Sequence, residues 1–339
     1  MLEEYIPLVI ALVLSLLVSY FLTPLIAKFM RSRGKIGKDI HKVDTPEIPE
    51  SVGLAVAISI LALLIIGLFF GLNQVIINRL LIMIVIMLAV TVVGIVDDFR
   101  PLSGILKPGI IMIISIPIAI FQVADPYPAI PIVGEVRITI VYWAIAILVV
   151  AVTSNASNMI DVLNGSMSGS FLLIAATGFI ATFIVPLNPD SVFIARYGSL
   201  VLFGSLFGFW IFNRYPAKVF AGDTGSLATG AMIGLIAIYG ELEFVLIVAM
   251  LPLILNSFSI IGSIGGLKER REMRARPVTV KDGIIYPSED MKGPITLVRL
   301  IVADGEKNEK EIVNQILKVV GYSCILALIS ALMIRGSLA

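Results

Sequence analysis

Long apolar stretches recur along almost the whole chain, and each is close to the length that crosses a lipid bilayer. A transmembrane helix needs about 20 consecutive, mostly apolar residues. Ten such stretches are present, of which the fourth, fifth and eighth are short or rich in glycine. The sequence therefore predicts an all-α polytopic membrane protein with about ten transmembrane helices, near residues 5–27, 53–72, 79–96, 109–124, 138–153, 167–186, 197–212, 225–240, 242–264 and 317–335.

The composition excludes several classes of protein. Hydrophobic residues make up 58% of the sequence and charged residues 14%, whereas soluble domains have about 45–50% and about 25%. A net charge of +1 does not supply the basic surface that a nucleic-acid-binding protein needs. One cysteine and one histidine exclude disulfide frameworks and zinc sites built from these residues. Carboxylates, amides, lysines and arginines must therefore carry any chemistry.

The basic residues are distributed unevenly between the predicted loops. If the first loop is cytoplasmic, 21 of the 25 lysines and arginines lie in cytoplasmic loops and four lie on the other side. The positive-inside rule therefore predicts an even number of spans with both termini outside. The unusual polar residues fall in the same cytoplasmic loops, so we expect an active site on the cytoplasmic face.

One membrane domain is predicted over the whole chain, residues 1–339, with a cytoplasmic insertion at residues 265–316. Within this insertion, two runs at 277–280 and 284–286 flank a turn that contains Asp282-Gly283. This pattern is typical of a β-hairpin. An amphipathic lead-in to the last span follows the hairpin. We find no internal repeat or linker that would divide the chain further.

An acidic pair, Asp97-Asp98, ends the third apolar stretch. Acids at a helix C-terminus oppose the helix dipole at a cost of about 0.3–1 kcal/mol each, so the pair suggests a compensating cation. The alternatives are a metal-linked or phosphate-activating pair and a solvated helix end. Lys107, nine residues beyond Asp98, is expected either to fold back onto the pair, to bind a phosphate, or to mark the membrane interface.

Polar residues recur every third position after the fifth span, at Asn155, Asn158, Asp161 and Asn164, and Gly165 follows them. At this spacing, successive members are neighbours on a helical turn. Amide and carboxylate oxygens suit Mg²⁺ ligation and hydrogen bonds to a base or sugar. A plain polar connection between two spans is the alternative, because short loops often use asparagine and glycine.

Two further clusters lie in predicted cytoplasmic loops. Asp223, in a Gly-Asp-Thr-Gly sequence, opens the eighth span, where it is either an ordinary cap or a metal ligand beside a helix N-terminus. Arg274 and Arg276 stand in the long basic loop. Guanidinium groups bind phosphates through two hydrogen bonds, although these arginines also fit a patch that follows the positive-inside rule.

Together, these residues are carboxylates, amides, one lysine and an arginine pair at one membrane surface. That inventory fits phosphoryl transfer assisted by Mg²⁺, or by Mn²⁺ in its place, because positioning and charge neutralisation provide most of the catalysis. A soluble phosphorylated donor would come from the cytosol and a lipid acceptor from the bilayer.

Two rival functions are a nucleotide-sugar or ion transporter and an inactive lipid-binding scaffold. Transporters place polar residues near the bilayer midplane, often in broken helices of inverted repeats. In this sequence the polar residues lie at span ends on one face, which favours the enzyme. A scaffold would tolerate substitution of Asp98 and Asp223.

Five motifs occur in order between Gly37 and Gly321. They are Gly37-Lys38-Asp39-Ile40 with Ile48-Pro49-Glu50-Ser51, Asp97-Asp98 with Lys107, Asn155-Ala156-Ser157-Asn158 through Asn164-Gly165, Pro216-Ala217-Lys218-Val219-Phe220-Ala221-Gly222-Asp223, and Arg274-Ala275-Arg276. In this order they resemble the polyprenyl-phosphate N-acetylhexosamine-1-phosphate transferases. The resemblance is closest to the archaeal and eukaryotic branch that makes GlcNAc-pyrophosphoryl-dolichol.

The resemblance implies ten spans and a reaction between UDP-GlcNAc, or a related UDP-sugar, and a polyprenyl or dolichyl phosphate, with release of UMP. It implies that Asn158 and Asp223 hold Mg²⁺. Asp97 or Asp98 would orient or deprotonate the lipid phosphate. The remaining implied roles are phosphate neutralisation by Lys107, Arg274 and Arg276, uracil binding by Asn164 and Phe220, a nucleotide mouth lined by Lys38 and Glu50, and further substrate binding by Asn155 and Asp161.

This sequence also departs from the family pattern. The histidine of the family's arginine loop is Ala275 here, which removes one sugar contact. Asp161 matches bacterial relatives rather than the eukaryotic enzyme. The histidine-rich loop of the bacterial peptidoglycan branch is absent, which disfavours a MurNAc-pentapeptide donor. The resemblance implies the cell membrane of an archaeon in preference to an endoplasmic reticulum membrane, with a homodimer as an open alternative.

Overall fold

Helices make up most of the structure, a computed structural model that describes residues 2–268, 275–290 and 292–338. In chain order the helices are α1 (Leu2–Ser32), α2 (Leu54–Gly67), α3 (Gln74–Phe99), α4 (Leu106–Ile114), α5 (Ile116–Phe121), α6 (Thr139–Ile160), α7 (Ser166–Ala181), α8 (Pro189–Asn213), α9 (Gly222–Tyr239), α10 (Glu243–Ile264), α11 (Leu297–Ile301) and α12 (Glu309–Leu338).

Six helices among the described residues are long and apolar enough to cross a membrane, namely α1, α3, α6, α8, α10 and α12. Three shorter apolar segments, α2, the α4–α5 pair and α7, fall where further spans were predicted. The protein is therefore a polytopic membrane protein, as the sequence predicts. The count of ten spans, the sidedness and the positions of the termini stay predictions.

The fourth predicted span is not one continuous helix. Helix α4 ends at Ile114, and α5 begins after Ser115. Pro117 lies in the first turn of α5, where its missing N–H leaves no gap in a new helix but would break a continuous one. At the other end of the chain, the predicted amphipathic lead-in and last span form the single helix α12.

Three small antiparallel sheets lie in the connections between helices. Their strands are β1 (Ile36–Lys38) with β2 (Glu47–Pro49), β3 (Ala129–Ile130) with β4 (Gly134–Glu135), and β5 (Val278–Lys281) with β6 (Ile284–Pro287) and β7 (Lys307–Asn308). Strands β5 and β6 form an antiparallel hairpin at the residues where the sequence predicts one, and the cytoplasmic insertion that contains it stays a prediction. The turn residues of the hairpin, Asp282 and Gly283, have φ values of 51° and 75°, as a two-residue type I′ turn requires. The β1–β2 pair was not predicted.

Helix α9 lies in the centre of the helix packing, and its residues from Thr224 onward are buried. Glycines allow neighbouring helices to approach it closely. A Cβ atom added to Gly94 of α3 would lie 2.5 Å from the Cα atom of Thr224, and one added to Gly230 would lie 2.3 Å from the Thr153 carbonyl oxygen of α6. Small residues permit such contacts between membrane helices. This packing brings the N-terminus of α9 against α3 and α6.

Candidate active site

Four polar side chains from four helices meet at the N-terminus of α9. The Lys107 ammonium forms an ion pair with Asp97, and its Nζ atom lies 3.4 Å from Asp223 Oδ2. The Asn158 side-chain amide donates a hydrogen bond to Asp223 Oδ1 and a second one, of 3.0 Å, to Ser226 Oγ. The structure therefore brings together Asp97, Lys107, Asn158 and Asp223, although Asp97 and Asp223 are more than a hundred residues apart in the sequence.

Asp97 and Lys107 are buried at the junction of α3 and α4. Asp97 is 2% exposed and Lys107 is 6% exposed. Asp97 Oδ1 also accepts a 2.6 Å hydrogen bond from the backbone N–H of Leu102, which holds the connection between the helices. Buried charges are tolerated when they are paired and hydrogen-bonded. Of the predicted alternatives for Lys107, the structure shows the one in which it folds back onto the pair.

Asp98 caps the N-terminus of α9 from the end of α3. Its Oδ1 atom accepts a 2.9 Å hydrogen bond from the Asp223 backbone N–H, and its Oδ2 atom accepts bonds of 3.1 Å and 2.5 Å from the backbone N–H and hydroxyl of Thr224. A carboxylate at a helix N-terminus satisfies free N–H groups and interacts favourably with the helix dipole. Asp98 therefore fixes the backbone that carries Asp223.

Lys35 balances the partial negative charge of the helix dipole at the C-terminus of α3. Its ammonium donates a hydrogen bond to the backbone carbonyl of Asp98, and its Nζ atom lies 4.6 Å from the centre of the Phe99 ring. A cation at this end of a helix interacts favourably with the dipole. The compensating cations that the acidic pair suggested are thus Lys107 for the side chain of Asp97 and Lys35 for the helix end.

Asp223 is the most accessible carboxylate of the cluster, with 31% of its side chain exposed. Its neighbour Asn158 is half-buried. Mg²⁺ usually keeps several water ligands and takes one or two protein oxygens together with substrate phosphates. A partly exposed carboxylate beside an amide, whose oxygen can replace its nitrogen by rotation of the planar group, fits that donor set. These two residues fit the metal role predicted for them, which stays a prediction.

A second polar cluster surrounds Asn164, in the connection from α6 to α7. Its Nδ2 atom lies 2.9 Å from Asp39 Oδ2 and 3.4 Å from Glu309 Oε2, and its backbone N–H donates a 2.7 Å hydrogen bond to Glu309 Oε1. Lys42 Nζ lies 2.7 Å from Asp39 and 2.6 Å from Glu309. The first loop, the α6–α7 connection and the start of α12 thus meet at Asn164.

The charges in this second cluster stabilise one another. Burial on its own would raise the pKa of Asp39, but hydrogen bonds from Lys42 and Asn164 hold it below 3.8. Burial on its own would lower the pKa of Lys42, but hydrogen bonds to Asp39 and Glu309 hold it above 10.5. Asp39 is therefore ionised and Lys42 protonated at neutral pH.

The first loop also pairs with the segment before Asp223. The backbone N–H of Phe220 donates a 2.9 Å hydrogen bond to the Pro49 carbonyl, and the N–H of Val52 donates one of 3.0 Å to the Phe220 carbonyl. These bonds place Glu50, between the two partners, beside Phe220. Both side chains are partly exposed, as expected of residues that contact a ligand.

The structure does not bring all the predicted site residues into these clusters. Lys38 and Arg276 are exposed, and Arg274 lies outside the described residues. The Asn155 amide donates a 2.8 Å hydrogen bond to Ala151 in its own helix. Asp161 does lie near the first cluster, because burial and the negative charges of Asp223 and Asp98 raise its pKa to about 7. The roles proposed for these residues by resemblance stay predictions.

Sequence reasoning missed four residues of these clusters: Asp39, Lys42, Thr224 and Glu309. Asp39 and Thr224 stand inside motifs that had been recognised, so their positions beside Lys38 and Asp223 were a usable signal. Lys42 was counted only as one charge of a basic loop. Glu309 is 145 residues from Asn164, and nothing in the sequence links the two.

Comparison with known proteins supports the same group of enzymes. The family model described as glycosyl transferase family 4 matches residues 80–241. Proteins from Sulfolobus acidocaldarius and Saccharolobus solfataricus are 29% and 30% identical to this chain over 73% of its length, and the alignments cover 76% and 77% of the relatives. Both are provisionally named UDP-N-acetylglucosamine–dolichyl-phosphate N-acetylglucosaminephosphotransferase. A phospho-N-acetylmuramoyl-pentapeptide-transferase from Bacillus pumilus is 30% identical over 77% of this chain and 83% of the relative.

Proposed function

Because the chain belongs to glycosyl transferase family 4, the polyprenyl-phosphate sugar-phosphate transferases, we propose that it transfers an N-acetylhexosamine-1-phosphate to a membrane-borne lipid phosphate. The proposed donor is UDP-GlcNAc or a related UDP-sugar, the acceptor is a polyprenyl or dolichyl phosphate, and UMP is released. The proposed location of the site is the cytoplasmic face of the membrane.

The observation that carries this proposal is the meeting of Asp97, Lys107, Asn158 and Asp223 at one end of α9. Phosphoryl transfer needs a cluster in which negative charge can be neutralised and the reacting groups aligned. These functions are supplied by two carboxylates, an ammonium group and an amide. One of the carboxylates, Asp223, is open to solvent. A lipid acceptor requires that such a cluster lie at the end of membrane helices. In support, Asp97 and Asn158 lie near the C-termini of α3 and α6, two helices long and apolar enough to cross a membrane.

The acceptor needs little activation in this scheme. The second ionisation of a phosphate monoester has a pKa of about 6, so the lipid phosphate is mostly a dianion at neutral pH. One of its oxygens attacks the phosphorus that carries the sugar, and the bond from that phosphorus to UMP breaks. Both oxygens of Asp98 are held by the backbone of α9, and Asp97 is paired with Lys107. These contacts favour direct attack over a covalent aspartyl intermediate.

Asp223 and Asn158 would hold Mg²⁺, which neutralises developing charge on the pyrophosphate when it is bound. Lys107, whose ammonium already contacts two carboxylates, would turn toward a phosphate that enters beside Asp223. Asn164 and Phe220 would bind uracil, by hydrogen bonding and stacking. Lys38 and Glu50 would line the entrance for the nucleotide, and Arg276, with Arg274, would reach phosphate from the basic loop.

The decisive experiment uses the purified full chain with a panel of UDP-sugars and polyprenyl phosphates, scored by formation of UMP. UDP-GlcNAc is expected to support turnover, and UDP-MurNAc-pentapeptide is not, because the chain has only one histidine to offer in place of a histidine-rich loop. Release of UMP without formation of a lipid-linked sugar phosphate would argue against transfer.

Asp223→Asn provides the matching test of the site. We expect this substitution to lower turnover at least about tenfold, because it removes a charged ligand and a partner of Lys107. Asp125→Asn is the control, because Asp125 is an exposed carboxylate in the α5–β3 connection. Wild-type UMP release by a folded Asp223→Asn protein would refute the metal assignment.

A further inference from the structure

The side-chain amide of Asn164 is held in one orientation by two carboxylates. Its Nδ2 atom has two hydrogens, and the structure provides one acceptor for each, Asp39 Oδ2 at 2.9 Å and Glu309 Oε2 at 3.4 Å. An ionised carboxylate only accepts hydrogen bonds. The amide must therefore turn its NH₂ group toward Asp39 and Glu309 and its oxygen away from them.

Lys42 keeps this arrangement from reversing. A protonated carboxyl group would offer an O–H donor, to which the Asn164 oxygen could turn. The Lys42 ammonium lies within 2.7 Å of both carboxylates, where it attracts their negative charge. The ammonium is fixed in turn, since its Nζ atom lies 4.5 Å from the centre of the Tyr215 ring.

The Asn164 oxygen remains available for a ligand. No donor to Oδ1 is found among the described residues, and this atom is not one of their fully buried polar atoms that lack a partner. It therefore keeps access to solvent, although Asn164 as a whole is only 3% exposed. A buried asparagine with a fixed NH₂ group and an open oxygen presents an acceptor to whatever binds there.

We infer that Asp39 and Glu309 are positioning residues that make Asn164 select uracil over cytosine. This inference rests on the proposed function, in which Asn164 contacts the base of a UDP-sugar. The only ring donor on the pairing edge of uracil is its N3–H group, which the fixed oxygen can accept. Cytosine in the same position would place an unprotonated N3 against that oxygen, so two lone pairs would face each other without a hydrogen.

The arrangement is local and does not involve the metal or the transferred phosphate. All four carboxylate oxygens of Asp39 and Glu309 already accept hydrogen bonds from Lys42, Asn164 or the His41 backbone N–H, so neither carboxylate is left to contact a nucleotide. Both act through Asn164. Substitution of either carboxylate should therefore change the choice of base without changing the chemistry of phosphate transfer. This expectation separates their role from that of Asp223.

The test is equilibrium binding of UMP, CMP and 3-methyl-UMP to the full chain in detergent micelles. We expect the wild-type protein to bind UMP at least about tenfold more tightly than CMP, which corresponds to about 1.4 kcal/mol, and to disfavour 3-methyl-UMP similarly. Asp39→Asn and Glu309→Gln introduce an amide that can donate to Asn164 Oδ1 and let Asn164 turn. Both substitutions are expected to lower the ratio of UMP to CMP affinity at least about threefold.

Asp44→Asn and Glu306→Gln are the matched controls, because both carboxylates are exposed near the same segments, and they should keep the wild-type ratio. Folded Asp39→Asn and Glu309→Gln proteins with the wild-type ratio would overturn the inference. If neither variant folds, the wild-type series decides, since equal affinity for UMP and CMP also overturns it. If UMP and CMP bind equally well, UMP release in the turnover assay would still support the proposed function. Failure to bind any of the three nucleotides would count against both the inference and the proposed function.

Discussion

The Thr224 hydroxyl donates a 2.5 Å hydrogen bond to Asp98 Oδ2, and the Thr224 backbone N–H donates a 3.1 Å bond to the same oxygen. This contact joins the end of α3 to the start of α9. Because Thr224 directly follows Asp223, the contact fixes the position of the proposed metal ligand. An acidic residue that the sequence marks as a catalytic candidate thus has a definite structural role.

We predict that Thr224→Val destabilises the protein by about 1.5–3 kcal/mol, because a hydrogen bond from a hydroxyl to a charged group is lost while the shape of the side chain is kept. The measurement is thermal unfolding in detergent micelles. Thr224→Ser is the control, since it retains the hydroxyl. In a double-mutant cycle with Asp98→Asn, the two effects should couple by at least about 0.5 kcal/mol, and strictly additive effects would show that the bond contributes nothing.

A second prediction concerns the metal. Turnover should require Mg²⁺ or Mn²⁺ and should stop in excess chelator, because Asp223 and Asn158 offer two ligands beside the proposed pyrophosphate site. Asn158→Ala is expected to weaken Mn²⁺ binding about tenfold or more, measured by electron paramagnetic resonance of the free ion, independently of activity. Asn314→Ala, which removes an exposed amide of α12, should leave binding unchanged. Undiminished turnover in chelator would contradict the assignment.

The long apolar stretches made the helical fold predictable, but not its interruptions. The break between α4 and α5 depends on Pro117, whose effect on a helix is known from its chemistry and could have been anticipated. The β1–β2 pair could not, because three-residue strands carry too little pattern. Their pairing is tied to backbone contacts with Phe220, which is far away in sequence.

The residues of the site were easier to find than their partners. Spacing and charge identified Asp98, Asp223 and Asn164, because acidic and amide residues that border long apolar segments stand out in a sequence with so few charges. Which atoms they bind depends on how close the helices approach, and that depends on glycines such as Gly94. A sequence without coordinates does not show that Asp98 caps α9, or that Glu309 reaches Asn164.

The close approach of α3 and α9 leads to a third prediction. Gly94→Ala would place a methyl group 2.5 Å from the Cα atom of Thr224, and backbone atoms cannot give way as a flexible side chain can. We expect a loss of about 1–3 kcal/mol in stability and a matching loss of turnover, as the Asp98 cap is displaced. Gly109→Ala is the control, because no atom lies within 4 Å of its added Cβ. Equal stability and turnover of the two variants would show that α3 and α9 can move apart to accept the added methyl group.

The cluster around Asn164 leads to a fourth prediction, on the pH dependence of stability. The pKa of Asp39 is held below 3.8, so its contribution to the free energy of unfolding is present above that pH and is lost as the pH falls through the lowered value. The pKa of Lys42 is held above 10.5, so its contribution is present below that pH and is lost as the pH rises through the raised value. The wild-type melting temperature should therefore fall on strong acidification.

Lys42→Met should reverse the sign of the pH dependence of the melting temperature under mildly acidic conditions. Without the ammonium, Asp39 loses its cation while it stays buried, so the pKa of Asp39 in the folded protein should rise above its value in the unfolded chain. The folded state then binds protons more readily, so the melting temperature should increase as the pH falls from neutrality toward about pH 5. Lys310→Met, at an exposed lysine beside Glu309, should behave like the wild type. A Lys42→Met protein whose melting temperature falls over this range would show that the ammonium does not govern the ionisation of Asp39.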